Sequence, residues 1–224
     1  MSRSCHPLET RRSDPVQVRL AGPGDLPGIV RCHLAAFPGQ FLSRLGPTFL
    51  EAYYRFYLDA PGGINLVAID SGDRVVGFVS GGDPALRGRF IRTRVPGFLG
   101  LLVRQGLRDP FVRRRLRVHL GNLIRTLAGR LEGAWSRRPA AGSQDPKGVS
   151  VLLSIAVDPA STGQGIGRRL MEAFRQQSRS LGYIAMELSA HRDNEPAIGL
   201  YRACGWEVVS QDADGVYFRR GTDR

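Results

Sequence analysis

Three glycines at two-residue spacing, Gly163, Gly165 and Gly167, stand where an apolar run ends and a helical pattern begins, and that arrangement suits an anion. The apolar run is Val149 to Val157, closed by Asp158-Pro159; the helical pattern puts Ile166, Leu170, Phe174 and Ser178 on one face and ends near Leu181-Gly182. Backbone N–H groups at a helix start lack partners and sit at the positive end of its dipole, and residues without Cβ let phosphate oxygens approach. Arg168 and Arg169 add positive charge beside the turn. No GxxxxGK[ST] string is present, so a P-loop is excluded. A dinucleotide-binding turn competes, because Glu187 lies twenty residues beyond Gly167, about where a ribose-binding carboxylate belongs. Against it, the glycines begin six residues after Val157, and the third glycine position falls on Arg168.

The elements that must hold this turn follow from periodicity. Val16 to Leu20 alternates as a strand, and Gly24-Asp25 leads into a helix with Leu26, Ile29, Val30, His33, Leu34 and Phe37 on one face. Pro47 to Leu58 repeats Phe49, Leu50, Tyr53, Tyr54 and Tyr57 at helical spacing and stops at Pro61-Gly62-Gly63. Ile64 to Ile69 and Val75 to Ser80 form a predicted hairpin around Asp70-Ser71-Gly72-Asp73. The run Val149 to Val157 predicts a central strand buried on both faces. Tyr183 to Ser189 reads as a strand, Asn194 to Ala203 as a helix, and Trp206 to Val209 with Val216 to Arg219 as a last pair. Between Gly81 and Gly148 the chain turns Arg-rich. A basic amphipathic helix is predicted there from Pro110 to about Glu132, with Val112, Leu116, Leu120, Leu123, Leu127 and Leu131 as its apolar stripe.

Two segments carry a resemblance. Thr162-Gly163-Gln164-Gly165-Ile166-Gly167 resembles motif A of the GNAT acyltransferases, [QR]-x-x-G-x-[GA], with Thr162 in place of the usual Gln or Arg. Asn194 to Trp206 is similar to the family's motif B, N-x-x-A-x-x-[LF]-Y-x-x-x-G-[FW], and Asn194, Ala197, Leu200, Tyr201, Gly205 and Trp206 fill its fixed positions. The resemblance implies an α/β (α+β) fold: a mixed, mainly antiparallel sheet flanked by helices, here with an Arg-rich helical insertion. It implies acetyl-CoA as co-substrate and a primary amine as acceptor. The pyrophosphate would lie on the loop of Thr162, Gly163, Gln164, Gly165, Ile166, Gly167 and Arg168. The pantetheine arm would follow the splayed strand Ile155, Ala156 and Val157, with Asn194 and Tyr201 beside it, and Tyr201 would protonate the leaving thiolate as general acid. The resemblance also covers 16–80 in element order, but not 83–148.

Each role has a plainer competitor. Tyr201 also suits core packing, and Asn194 suits a helix cap. The base that takes the amine proton is open: Val149 to Val157 holds no carboxylate, Ser150 and Ser154 are too weakly basic, and water, His33, Glu187 or His191 remain. Cys204, the only cysteine within the motifs, reads as a packing residue, which favours direct attack over a covalent acyl-enzyme.

Composition bounds the rest. With 224 residues, 42% hydrophobic and 23% charged, the chain should bury a core. Met1 to Asp14 has no apolar signal region, and the apolar run Val95 to Val103 is too short for a bilayer, so a cytoplasmic enzyme is expected. Cys5, Cys32 and Cys204 form no disulfide framework, and His6, His33, His119 and His191 lack ligand spacing, so no metal is expected. The net charge of +12 is concentrated in 83–148, where fourteen arginines and Lys147 face four acids. That segment reads as a solvated arm over the acceptor cleft, a docking site for an anionic acceptor or membrane surface, or a nucleic-acid patch. Few aromatics interleave with the arginines, which disfavours nucleic acid. The expected organisation is a tail over 1–14, two halves of an acyltransferase domain over 15–82 and 149–224, and the basic insertion over 83–148, as monomer or homodimer. Two non-catalytic readings stand beside it: an acyl-CoA-binding module without turnover, and a basic peripheral protein docking on membrane or nucleic acid.

Overall fold

The hairpin aspartates, glycine stops and prolines of the sequence become visible as element boundaries in a computed structural model, which describes residues 16–117, 148–213 and 215–223. In chain order these form β1 (Gln17–Leu20), α1 (Leu26–Ala36), the single turn α2 (Phe41–Arg44), α3 (Pro47–Asp59), β2 (Gly63–Ile69) and β3 (Val75–Gly82). Then come α4 (Ala85–Thr93), α5 (Leu99–Arg108) and a helix α6 described over 110–117. The last part holds β4 (Val149–Val157), α7 (Ile166–Ser180), β5 (Ala185–His191), α8 (Glu195–Ala203), β6 (Glu207–Gln211) and β7 (Gly215–Gly221). The β2–β3 turn is closed by Asp70, whose Oδ1 accepts the amides of Gly72 at 3.1 Å and Arg74 at 2.9 Å. Pro47 opens α3 at the first helical position, where a missing N–H costs nothing.

The strands make one seven-stranded sheet in the order β1-β2-β3-β4-β5-β7-β6. Only β4 and β5 run parallel, and every other neighbouring pair is antiparallel. On one face α7 and α8 cover the sheet through Ile166, Leu170, Met171, Phe174 and Tyr201, packed with Leu152, Met186, Leu188 and Phe218. On the other face α1 and α3 cover β2, β3 and β4 through Leu26, Ile29, Leu50 and Tyr54. Phe174 is fully buried, and its Cε2 lies 3.0 Å from where a Cβ on Gly81 of β3 would sit. Phe174→Ala opens a cavity there and should cost about 3–5 kcal/mol. At this chain length that lowers Tm by roughly 10 °C, and a thermal melt within two or three degrees of the parent would contradict this packing.

Two sequence expectations are corrected. Val149–Val157 is not buried on both faces: Val149, Val151, Leu153, Ser154, Ile155 and Val157 are half-buried, the last four in the stretch where the strand has lost its β5 neighbour. Helices α4 and α5 lie in a stretch for which no element was expected. Leu99, Leu102, Val103 and Leu107 do line one face of α5, and only part of that face is covered: Leu102 is buried while Leu99, Val103 and Leu107 are exposed. The helix expected over 110–132 is helical through 117, with Val112 buried and Leu116 packed beside it; its remainder and the 1–14 tail lie outside the described residues.

Candidate active site

The sheet forks between β4 and β5. They pair only over Val149↔Ala185, Ser150↔Met186 and Val151↔Glu187. Beyond that rung β4 stays with β3 as far as Val157↔Gly77, while β5 stays with β7 to His191↔Gly215. The β5-facing edge of β4 from Leu152 to Val157 therefore has no strand partner, although each backbone amide there needs one when covered. An extended, amide-bearing ligand can lie along that edge as a strand would. Within the same stretch Ser80 pairs with Ser154 and Gly81 with Leu152, so Leu153 is an extra, bulged residue. The bulge turns both Leu153 and Ser154 toward α3: Leu153 packs on the cluster of Leu45, Phe49 and Tyr57, and Ser154 lies near the Tyr54 hydroxyl.

The glycine turn stands at the open end of the fork. Asp158 fixes its start: its amide donates to Val76 O at 2.8 Å and its carboxylate accepts from the Ala160 amide at 3.0 Å. Thr162, which replaces the larger polar residue of motif A, turns its hydroxyl inward to the Pro159 carbonyl at 2.9 Å. Gly163 and Gly165 have φ of +79° and +74°, a region that favours glycine, and Thr162 to Gly165 are exposed. The first bond into α7 runs from the Arg169 amide to Gly165 O at 3.1 Å, so the amides of Ile166, Gly167 and Arg168 have no partner among the described residues. These amides and the helix dipole form an anion cradle, and no atom lies within 4 Å of a Cβ built on Gly163 or Gly165. Gly167 has a different reason to be glycine: a Cβ there would sit 3.2 Å from Leu200 Cδ2, so its absence lets α7 and α8 approach. The expected side-chain charge is diverted, since the Arg168 guanidinium reaches Cys204 and Arg169 donates to Val16 O at 2.7 Å.

Helix α8 brings Tyr201 to this fork. Asn194 caps the helix through Oδ1, which accepts the Ala197 amide at 3.3 Å and leaves the side-chain NH₂ free of that duty. Tyr201 is 6% exposed, packed against Phe218 at 5.5 Å and Trp206 at 6.4 Å between ring centroids, in the same apolar cluster as Ile155, Val157 and Ile166. Burial pushes its phenol up to about 12. Its hydroxyl has no hydrogen-bond partner among the described residues, yet it is not one of the sealed polar atoms, which include His33 Nε2 and Trp206 Nε1. It is therefore not sealed from solvent.

Of the residues considered as base, His33 is 3% exposed, with Nδ1 2.6 Å from the Tyr54 hydroxyl and its ring against Phe37 and Phe78. It is a core residue, and burial lowers its pKa to about 4. The unfolded chain then binds the proton more readily between pH about 6.5 and 4, so stability should fall as pH drops through that window, by at most about 1.4 kcal/mol per pH unit. His33→Phe should flatten this limb in pH-dependent chemical denaturation, whatever it does to the plateau; an unchanged slope would contradict a neutral buried imidazole. Glu187 occupies the last rung before the fork, 3.6 Å from Arg219 Nη1. His191 is exposed, 3.4 Å from Asp193. The fork apex at Val151 and Glu187, the bulge at Leu153 and the Ser154–Tyr54 contact were missed in the sequence, because strand pairing is not written in a single strand's residues.

The geometry agrees with comparison to known proteins. The profile described as the Acetyltransferase (GNAT) family matches residues 29–206. The chain belongs to this family. A mycothiol acetyltransferase of Propionibacterium freudenreichii is 35% identical over 90 residues, covering 40% of this chain and 28% of that protein. The N-alpha-acetyltransferase RimI of Mycobacterium tuberculosis is 41% identical over 56 residues, covering 25% of this chain and 34% of that protein. The matched region is about a third or less of either relative's length. Among solved structures, the GNAT family N-acetyltransferase YhbS from Escherichia coli in complex with CoA superposes with a TM-score of 0.55 at 16% identity, over 96% of this chain and 86% of that one. That likeness is one of fold. The GNAT fold thus accounts for the mixed sheet, the fork and the glycine turn together.

Proposed function

We propose that this GNAT chain transfers an acetyl group from acetyl-CoA to a primary amine by direct attack. The observation that carries the reading is the coincidence, at one end of the sheet, of an unpaired edge on β4, an open amide cradle at the start of α7 and the Tyr201 hydroxyl. The cradle of Gly163 to Arg168 suits a diphosphate, and the edge from Leu152 to Val157, including Ile155, Ala156 and Val157, suits the amides of a pantetheine arm, with the Asn194 NH₂ beside it. The amine nitrogen bonds to the thioester carbonyl carbon and the carbon–sulfur bond breaks. Tyr201 donates its O–H to the departing sulfur, and the proton the amine loses returns through water to Tyr201, so the net transfer is from nitrogen to sulfur. Much of the rate comes from holding amine and thioester together. The cytoplasm is the compartment this reading assigns.

The names of the relatives put mycothiol-related amines and N-terminal α-amines first among acceptors, followed by amino sugars and polyamines. Incubation with acetyl-CoA and each amine, read by mass spectrometry for the N-acetyl product, should give turnover with at least one class, abolished by omitting the protein. Acetyl-CoA binding without turnover on any amine would instead support a non-catalytic acyl-CoA-binding module.

A further inference from the structure

The helices α4 to α6 carry most of the net positive charge of the described residues and an apolar strip that the acetyltransfer site does not use. Leu102 and Gly106 form the buried side of α5. A Cβ on Gly106 would lie 3.4 Å from Leu116 Cδ1, which shows how closely α6 is seated there. In the strip beside them Leu99, Val103 and Leu107 are 62%, 56% and 75% exposed. Their spacing of four puts them in one strip, and Arg104 and Arg108, both exposed, follow next around the helix. Ile91 on α4 and Phe111 on α6 are also exposed. Residues 83–117 contain ten arginines against Asp83 and Asp109. Asp109 is engaged by Arg44 at 2.6 Å, which removes it as a counter-charge to the others.

We propose that the exposed face of α5, with the arginines around it, docks on an anionic lipid surface. An aliphatic strip bordered by guanidinium groups matches the boundary between headgroups and acyl chains, where the strip is buried and the cations meet lipid phosphates. Nucleic acid would satisfy the arginines but give the leucines and valine no partner. Base stacking lacks a free platform too, because the Arg44 guanidinium lies 4.8 Å above the Phe111 ring. No described helix is long and apolar enough to cross a membrane, so α5 lies in the interface.

The test is flotation of the full chain with vesicles of phosphatidylcholine alone or mixed with phosphatidylglycerol. Binding should be at least about tenfold stronger to the mixed vesicles and weaken as salt is raised. The combined variant Leu99→Gln, Val103→Gln, Leu107→Gln leaves the charge unchanged and should lose about tenfold in binding; Arg104→Glu with Arg108→Glu should lose at least as much. All five side chains are exposed, so thermal melts within a few degrees of the parent are expected and keep the comparison sound. No binding by the parent, undiminished binding by the leucine–valine variant, or a preference for RNA that the variant retains would each overturn the proposal.

Discussion

Tyr201→Phe should lower kcat about a hundredfold or more while leaving the dissociation constant for acetyl-CoA within about threefold. A hundredfold corresponds to about 2.7 kcal/mol of transition-state stabilisation, a size normal for one donor aimed at developing charge. The substitution removes only the hydroxyl, which has no protein partner among the described residues, and keeps the ring against Phe218 and Trp206, so the melt should not move. Because burial holds the phenol at about 12, Tyr201 is protonated throughout the ordinary assay range, and its titration should produce no fall in rate on the alkaline side below about pH 11. A phenol that weakly acidic stabilises the thiolate chiefly by a strong hydrogen bond as the carbon–sulfur bond breaks. An unchanged kcat in the Phe variant would assign Tyr201 to the core alone.

Gly165→Glu should weaken acetyl-CoA binding at least a hundredfold. Two effects add. A residue with Cβ at φ +74° costs about 1–2 kcal/mol in backbone strain, and a carboxylate enters the cradle meant for phosphate oxygens. Open space around Gly165 means the fold survives the side chain itself. Gly165→Asn separates the effects, since Asn tolerates positive φ and carries no charge, and it should retain most of the affinity. Equal affinity in the Glu variant and the parent, measured by calorimetric titration, would move the diphosphate away from this turn.

How far the sequence carried these conclusions depends on whether a feature is local. The turn Gly163-x-Gly165, the Asn194 cap and the terminator Gly182 are local, and each appears where its residue type demands: left-handed φ at the first two, a side-chain acceptor at the helix start, and φ +85° at the end of α7. A mixed, mainly antiparallel sheet followed from the family resemblance, while the identity of β4 and β5 as its parallel pair did not. The fork was not legible at residue level. Val151 and Leu152 are both aliphatic, yet one is the last residue paired to β5 and the other begins the free edge. Arg168 and Arg169 were read as charges beside the turn, and their contacts with Cys204 and the Val16 carbonyl were not legible in the sequence. Gly167 was read only as part of the anion loop, and its second constraint, the approach of Leu200 from a helix that begins twenty-eight residues on, was not legible. In the Arg-rich stretch α4 and α5 were passed over although α5 has an apolar face at helical spacing, part of which is left exposed.

Hydrogen–deuterium exchange of the full chain, with and without acetyl-CoA, tests the central claim most directly, since it reads the amides said to bind. Protection should be concentrated at 152–157 on β4 and 163–168 at the start of α7, with the β1–β2 edge unchanged. Protection elsewhere with none in these two stretches, or none at all at saturating acetyl-CoA, would contradict the placement of the acetyl donor in the fork.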